Sequence, residues 1–287
     1  MQSLTLRAPA KLNLYLKVIS RRPDGYHNIV TLFEKINLFD EITLKATPKK
    51  SIHIKCDHPD VPRGPKNLVY KVAEKLQRDF SVNQGVEITI KKRIPVAAGL
   101  GGGSSNAATV LKGLDRLWNL KISPKRMLKY AYSVGSDVAF FLYDTSWALG
   151  TQRGEKIRPL NLRTKLFHVL VVMKIPLYSW EVYGLLRNWR LTKKVDDVRI
   201  LLHYLRKKDF PSASRYLKND LERPVFDLCP RLLMLKNELR GLQTQGVMIS
   251  GSGPALFGIT ATRKQAEDIK FKMRKRFKQV FVVTTLV

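Results

Sequence analysis

The stretch PVAAGLGGGSSNAATVL, which occupies Pro95–Leu111, decides the fold prediction. Gly99 and Gly101–Gly103 carry no Cβ, so their backbone N–H groups can lie close to a ligand and the chain can take positive φ angles. The helix predicted directly after them adds unpaired N–H groups and the positive end of its dipole. Together these features indicate an anion site suited to a phosphate chain. A plain glycine-rich turn before a helix is the alternative.

This loop differs from the two commonest phosphate-binding motifs. The Gly-Lys-Ser/Thr end of a Walker A loop occurs nowhere in the sequence, and in a dinucleotide fingerprint counted from Gly99 the last glycine position is Ser104. No lysine lies in the loop, so its backbone and the hydroxyls of Ser104 and Ser105 would hold the anion. Behind the loop, apolar side chains at three- and four-residue spacing predict a helix with one buried face: Ala107, Ala108, Leu111, Leu114, Leu117 and Trp118.

Length and composition favour a two-domain protein. A chain of 287 residues that is 44% hydrophobic can bury a substantial core. The start, MQSLTLRAPAKL, lacks the long apolar segment of a secretory signal, and no run approaches the ~20 apolar residues of a membrane span. Cys56 and Cys229 form neither a disulfide framework nor a metal-ligand spacing. We therefore predict a cytoplasmic location and no membrane partner.

The charge is strongly positive. Lysine and arginine number 52 against 23 acidic residues, which gives a formal net charge of +29. Such a surface attracts polyanions, and nucleic-acid binding is one interpretation. The alternative is a basic surface around an acidic small-molecule substrate. Because the charge is spread along the chain and no aromatic-rich RNA-binding signature occurs, we predict no specific nucleic-acid partner.

Hydrophobic patterning predicts mixed secondary structure. Alternating apolar residues predict short strands in the first third, and longer periodicities predict helices. The predicted helices cover residues 66–80, 124–133, 179–189, 196–207, 230–245 and 264–277. The strands predicted in the second half cover residues 166–173, 247–250, 255–260 and 280–285. The polar stretch between Ala148 and Leu160 predicts a domain boundary, with domains 1–155 and 156–287.

A second glycine motif, MISGSGPALFG, covers Met248–Gly258. Gly251 and Gly253 flank Ser252, and a simple hairpin would need only one glycine. The second glycine therefore indicates a close approach to a ligand or to the first loop.

These motifs resemble a known family, the GHMP small-molecule kinases. The first loop is similar to the signature of that family, and SGSGPALFG resembles its C-terminal glycine motif. The stretches APAKLNLYLKVISRRPDGYHNIVTLF, GSDVAFFL, GTQRGEKIRPL and NDLE are similar to members that act on a cytidine-bearing alcohol. The resemblance implies an α+β fold of two domains: a ribosomal-protein-S5-like α/β domain, then a ferredoxin-like α+β domain. It also implies ATP-dependent phosphorylation of the 2-hydroxyl of 4-diphosphocytidyl-2-C-methyl-D-erythritol, a step of non-mevalonate isoprenoid biosynthesis.

The resemblance also implies roles for individual residues. Lys11 and Asp137 stand where the family has its catalytic lysine and aspartate. Asn13, two residues after Lys11, would project from the same face of a strand. The ATP-binding residues would be Asn67 near the adenine, and Pro95, Val96, Ala97, Ala98, Gly99, Leu100, Gly101, Gly102, Gly103, Ser104 and Ser105 around the phosphates. The cytidine-binding residues would be Tyr26, His27, Ser179 and Tyr183.

The chemistry of these residue types is coherent for phosphoryl transfer to an alcohol. An aspartate can accept the hydroxyl proton, and a lysine can stabilise the negative charge of the transferring group. Taken alone, Lys11 would be a solvated lysine on an edge strand, Asp137 a helix N-cap or turn residue, and His27 a surface turn residue. Only their occurrence with both glycine motifs favours catalysis.

Several points stay open from the sequence. The resemblance implies Mg²⁺ beside ATP; Ser105 is one possible ligand, but no acidic partner is identifiable. Oligomeric state is not indicated. Two alternative functions remain: another GHMP kinase, of the homoserine or mevalonate type, and a non-catalytic polyanion-binding protein on the same scaffold. The DGYH turn disfavours the first alternative, because those substrates carry no cytosine.

Overall fold

The computed structural model describes residues 2–188 and 196–286. The chain forms two compact units. Unit 1 comprises Met1–Ala10, Leu38–Val96 and Gly101–Asp144, and unit 2 comprises Lys11–Asn37, Ala97–Leu100 and Thr145–Val287. The domain boundary expected after residue 155 stays a prediction.

The elements alternate strands and helices in a mixed α+β order. The strands are β1 (Ser3–Arg21), β2 (His27–Thr47), β3 (Ile52–Cys56), β4 (Gly85–Lys91), β5 (Trp147–Gln152), β6 (Lys156–Pro159), β7 (Phe167–Val172), β8 (Lys218–Asn219), β9 (Gly246–Ile249), β10 (Ala255–Thr260) and β11 (Gln279–Thr284). The helices are α1 (Leu68–Asp79), α2 (Gly102–Leu117), α3 (Pro124–Val134), α4 (Val138–Leu142), α5 (Ser179–Gly184), α6 (Asp196–Lys207), α7 (Phe210–Ser214), α8 (Glu222–Leu228), α9 (Pro230–Gly241) and α10 (Arg263–Arg274).

Unit 1 packs helices against a small sheet. In it, β4 pairs parallel with β3 and antiparallel with the second half of β2. Local signals define two helix starts: the Asn67 side chain caps α1, and Ser123 caps α3 with Pro124 in the first turn. The apolar stripe predicted on α2 is buried from Ala107 to Leu117, whereas Trp118 is half-buried.

Unit 2 contains an antiparallel sheet in the order β11-β7-β10-β9. Its core is formed by alternate residues of these strands and by apolar residues of α8, α9 and α10. In the same unit, β5 pairs with the first half of β2, and the short β8 pairs parallel with β1 at Tyr15 and Leu16. The pairing with β8 places the second half of β1, which lies in this unit, beside the segment that follows α7.

The structure differs from the predicted elements at three points. The first strands are not short: β1 runs unbroken over 19 residues, and β2 over 21. The hairpin that β5 and β6 form between Trp147 and Pro159, with Gly154 at φ 100° in its turn, was not predicted. The helix predicted to residue 245 ends at Gly241, and the one predicted to 189 becomes 3-10 at Leu185–Asn188, with residue 189 outside the described residues.

Candidate active site

The first glycine loop leads into α2 in the way its sequence predicts. Gly101 takes φ 69° at the N-cap and offers no side-chain cap. A Cβ on Gly102 would lie 3.1 Å from both Ile94 Cγ2 and Lys92 Nζ, whereas one on Gly103 would meet nothing within 4 Å. The Ser105 hydroxyl is buried and has no hydrogen-bond partner among the described residues. The start of α2 thus combines the positive end of a helix with an unsatisfied hydroxyl, which suits a phosphate.

A buried ion pair supports the segment before this loop. Asp40 accepts hydrogen bonds from Lys92 Nζ at 2.5 Å and from the backbone N–H groups of Arg93 at 2.8 Å and Ile94 at 2.9 Å. Both charged side chains are almost fully buried. Sequence reasoning missed this pair, because Asp40 and Lys92 are far apart in the chain and neither belongs to a motif.

Two further predicted residues lie in unit 1. Asn67 uses its side-chain amide locally: Oδ1 accepts from Val69 N at 2.9 Å, and Nδ2 donates to the Pro62 carbonyl at 2.6 Å. Asp137 occupies the N-cap position of α4, yet its side chain makes no capping hydrogen bond. Asp137 thus holds the N-cap position that the alternative predicts, without using its side chain to cap the helix.

Lys11 and Asn13 project from the same face of β1, as predicted. Lys11 is 4% exposed, and its Nζ donates to Asn13 Oδ1 at 2.5 Å. Asn13 Nδ2 donates in turn to Thr31 Oγ1 at 2.8 Å, and Thr31 donates to the Tyr15 carbonyl at 2.7 Å. The ammonium also lies 5.6 Å from the centre of the Phe33 ring. Lys11 is thus a buried, oriented cation and not a solvated edge lysine.

The second glycine motif packs against the first loop, which confirms one of its two predicted roles. Ser250 Oγ donates to the Gly99 carbonyl at 2.9 Å, and Ala255 N donates to the Ala98 carbonyl at 3.3 Å. A Cβ on Gly99 would overlap the Ser250 carbonyl oxygen. Gly99 takes φ 75° and Gly251 φ 57°, conformations that favour glycine.

Two of the predicted cytidine-binding residues stack on each other. The ring centres of His27 and Tyr183 are 5.2 Å apart, with 28° between the planes. Burial lowers the pKa of His27 below its ordinary value, and the charge of Arg21 lowers it further. The ring is therefore neutral near pH 7 and has one donor and one acceptor nitrogen.

The other two predicted cytidine residues have different surroundings. Ser179 Oγ lies 2.7 Å from Ser252 Oγ, which connects α5 to the second glycine motif. Tyr26 is 55% exposed, and the Arg153 guanidinium lies 5.0 Å from its ring centre. Arg153 is a site neighbour that sequence reasoning did not single out, although it lies within the GTQRGEKIRPL stretch.

Within residues 2–188 and 196–286, no group of three or more His, Cys, Asp or Glu side chains could hold a metal ion. A cavity of about 350 Å³ in unit 2 is lined by Asn161, Leu162, Arg163, Thr164, Arg206 and Lys208. None of the predicted site residues lines that cavity.

Comparison with known proteins decides the family. Residues 67–145 match the pattern described as GHMP kinases N terminal domain, and residues 201–279 match GHMP kinases C terminal. The chain belongs to the GHMP kinase family. It is therefore an ATP-dependent small-molecule kinase, and its predicted α+β fold class is confirmed. No helix that the structure describes is long and apolar enough to cross a membrane.

Individual GHMP kinases extend the match over almost the whole chain. The 4-diphosphocytidyl-2-C-methyl-D-erythritol kinase of Bacillus velezensis is 38% identical over 96% of this chain and 95% of its own length. The Geobacillus kaustophilus protein of the same name is 37% identical over 99% and 97%. A crystal structure of 4-(cytidine 5'-diphospho)-2C-methyl-D-erythritol kinase superposes with a TM-score of 0.83 at 32% identity, covering 98% of both chains. Homoserine kinase from Cytophaga hutchinsonii, at 21% identity and a TM-score of 0.75, shares the fold.

Proposed function

We propose that this GHMP kinase transfers the γ-phosphoryl group of ATP to the 2-hydroxyl of 4-diphosphocytidyl-2-C-methyl-D-erythritol. The observation that carries the proposal is the full-length similarity to kinases named for that alcohol. The stacked His27–Tyr183 pair supports it, because kinases of homoserine or mevalonate have no pyrimidine to recognise. The net charge of +29 suits two polyanionic substrates.

The chemical step needs positioning and charge stabilisation more than covalent chemistry. We assign Asp137 as the group that accepts the hydroxyl proton while the alcohol oxygen bonds to the γ-phosphorus and the bond to ADP breaks. Lys11 would stabilise the negative charge of the transferring group. Its hydrogen bond to Asn13 supports this role, because a cation that is already oriented needs no reorganisation during the reaction.

ATP would bind through the loop Pro95–Ser105, where Gly103 leaves open space and the Ser105 hydroxyl is unsatisfied among the described residues. Mg²⁺, when bound with ATP, would neutralise phosphate charge. Ser105 is the ligand that the chain offers near the start of α2.

The cytosine would be recognised by His27 and Tyr183. A neutral imidazole can donate one hydrogen bond and accept another, which a pyrimidine with both an amino group and a ring nitrogen can satisfy. Burial keeps the ring of His27 neutral. Tyr183 would fix the plane of that ring through their stacking contact.

A coupled assay of ADP release tests the proposal. We expect kcat/KM to be highest for 4-diphosphocytidyl-2-C-methyl-D-erythritol when it is compared with homoserine and mevalonate under identical conditions. A preference for either of the other alcohols would contradict the substrate assignment. Absence of ADP release with all three, together with tight binding of duplex DNA at physiological salt, would instead favour the polyanion-binding alternative.

A further inference from the structure

The NDLE segment, Asn219–Glu222, lies outside the residues assigned to catalysis. It joins the short strand β8 to α8 in unit 2. Each of its three polar side chains nevertheless bonds to the backbone of another element. The bonded backbone groups belong to strand β1, which carries Lys11, and to the start of the second glycine motif, which lies beside the Lys11 ammonium.

Asp220 binds the strand that carries Lys11. Its backbone N–H donates to the Leu16 carbonyl at 2.9 Å, and its Oδ2 accepts from Val18 N at 2.8 Å. The parallel pairing of Lys218 with Tyr15 and of Asn219 with Leu16 continues this contact. The register of β1 is therefore fixed a few residues after Lys11 and Asn13.

Asn219 binds the second glycine motif. Its Nδ2 donates to the carbonyls of Ile249 at 2.9 Å and Gly251 at 2.8 Å, and its Oδ1 accepts from Leu221 N at 3.0 Å. The side chain is 6% exposed. Of the two polar atoms in the Asn219 side chain, only the nitrogen can donate hydrogen bonds. These contacts therefore also fix the orientation of the amide group.

Glu222 completes the attachment at Ile249. Its Oε1 accepts from Ile249 N at 3.0 Å, and its Oε2 accepts from Lys236 Nζ at 2.5 Å. Both backbone polar groups of Ile249 are thus bonded by side chains of the NDLE segment. The end of β9, where the glycine motif begins, is therefore held through both the N–H and the carbonyl group of Ile249.

Gly251 lies directly against the Lys11 ammonium. A Cβ built on Gly251 would be 3.5 Å from Lys11 Nζ, 3.3 Å from Asn13 Oδ1 and 3.5 Å from the Gly99 carbonyl oxygen. The position of Gly251 therefore limits where the ammonium and its Asn13 partner can sit. The carbonyl of that same glycine is the group that Asn219 holds.

We infer that Asn219 is a positioning residue for Lys11. It acts through the Gly251 carbonyl, while Asp220 next to it fixes the strand on which Lys11 lies. The inference rests on the proposed function, in which Lys11 stabilises the transferring phosphoryl group. Without the two amide hydrogen bonds, the glycine motif can move away and the buried ammonium loses its fixed place.

Asn219→Ala tests this role by removing the two side-chain hydrogen bonds to the Ile249 and Gly251 carbonyls. A small misplacement of a reacting group can cost ~10²-fold in rate, so we expect kcat to fall by about that factor with both KM values nearly kept. Asn37→Ala is the control: it removes one side-chain hydrogen bond in the same unit, from Thr284 N, at an exposed position away from the glycine motif. The control should lower the melting temperature and keep kcat. If Asn219→Ala does not fold, Asn219→Ser takes its place.

A double variant separates positioning from general damage. In a Lys11→Met background, Asn219→Ala should lower kcat little further, because the group it positions is already absent. Multiplicative losses, or an unchanged kcat in Asn219→Ala, would overturn the inference and leave the proposed function intact. Wild-type enzyme without turnover on the cytidine-bearing alcohol would refute the proposed function, and the positioning role of Asn219 with it.

Amide hydrogen exchange supplies a readout that does not depend on turnover. We expect Asn219→Ala to speed exchange across Ser250–Ala255, where Ser250 N and Gly253 N are bonded within the motif. Unchanged exchange there would refute the claim that Asn219 holds Gly251. Faster exchange in Asn37→Ala as well would show general loosening, which also counts against a specific role.

Discussion

The polar site residues of unit 1 and unit 2 are held in different ways. In unit 1, Ser105 and the Asn106 Oδ1 atom are buried without hydrogen-bond partners among the described residues, and Asp137 does not cap its helix. In unit 2, Lys11 bonds to Asn13, and Asn219 bonds to Gly251. The side-chain oxygens of Ser105 and Asn106 thus have hydrogen-bonding capacity that the described residues do not use, whereas the side chains of Lys11 and Asn219 bond to neighbouring residues.

Three glycines of the two motifs, Gly103, Gly99 and Gly251, show the same contrast. Gly103 in unit 1 has open space where a Cβ would be. Gly99 and Gly251 in unit 2 have backbone or charged side chains there instead, and both take positive φ angles. We therefore expect Gly103 to leave room for a ligand, whereas Gly99 and Gly251 leave room for other atoms of the protein. Substitution of Gly103 should therefore cost function first, and substitution of Gly99 or Gly251 should also cost stability.

The largest expected effect comes from Asp137→Asn in unit 1. The change keeps the shape of the side chain and removes its basicity, and loss of a general base typically lowers the rate ~10²–10⁴-fold. We expect kcat to fall by that order with both KM values nearly kept. The melting temperature, measured on the same variant, separates a loss of chemistry from a loss of folded protein. A near-normal kcat would mean that the hydroxyl proton leaves by another route.

The contrast also explains what the sequence could predict. The start of α2 depends on local features, a run of glycines followed by an apolar stripe, and its prediction was confirmed. The shared face of Lys11 and Asn13 follows from the two-residue repeat of a strand. These are consequences of short-range geometry, which a sequence displays directly.

Contacts between distant segments were not predictable in the same way. Asp40 and Lys92, or Asn219 and Gly251, meet only because strands pair in a particular register. The hairpin between Ala148 and Leu160 was missed because its glycines and charges also suit a linker. Pairing with β2 gives that polar stretch its strand conformation.

The next largest effect is expected for Gly99→Ala, with Gly103→Ala as its counterpart. At Gly99 a methyl group would meet the Ser250 carbonyl at a positive φ, and overpacking alone costs ~1–3 kcal/mol. Denaturant unfolding should show a loss in free energy of at least about that size.

Gly103→Ala should behave in the opposite way. Its methyl group enters open space at the start of a helix, so stability should hold or rise by ~0.4–1 kcal/mol. Affinity for ATP, measured by calorimetry, should fall, because the methyl group occupies space left for phosphate. Equal losses of stability in the two variants would refute the distinction between the two kinds of glycine.

His27→Ala probes a unit 2 residue that stacks on Tyr183 and that we propose to bind the cytosine. Stacking on a base is worth ~1–3 kcal/mol, so KM for the cytidine-bearing alcohol should rise by roughly 5- to 150-fold. Affinity for ATP should be kept, and Tyr183→Leu, which removes the stacked partner, should reproduce part of the effect. An effect on ATP affinity alone would show that His27 lies on the nucleotide side.

The smallest expected effect is the pH dependence of this same recognition. Burial and the charge of Arg21 lower the pKa of His27, so the folded protein favours the neutral ring. Between the lowered pKa and the ordinary value near 6.5, the unfolded chain binds more protons than the folded one, so acidification through this window costs stability.

Protonation of His27 also removes the acceptor nitrogen that the cytosine would use. KM for the cytidine-bearing alcohol should therefore be constant above about pH 6.5 and rise as the pH falls further, while His27→Ala should abolish that rise. A wild-type KM that stays flat through the acid range would show that the ring binds the base without using its neutral form, and the hydrogen-bonding part of the proposed recognition would then be wrong.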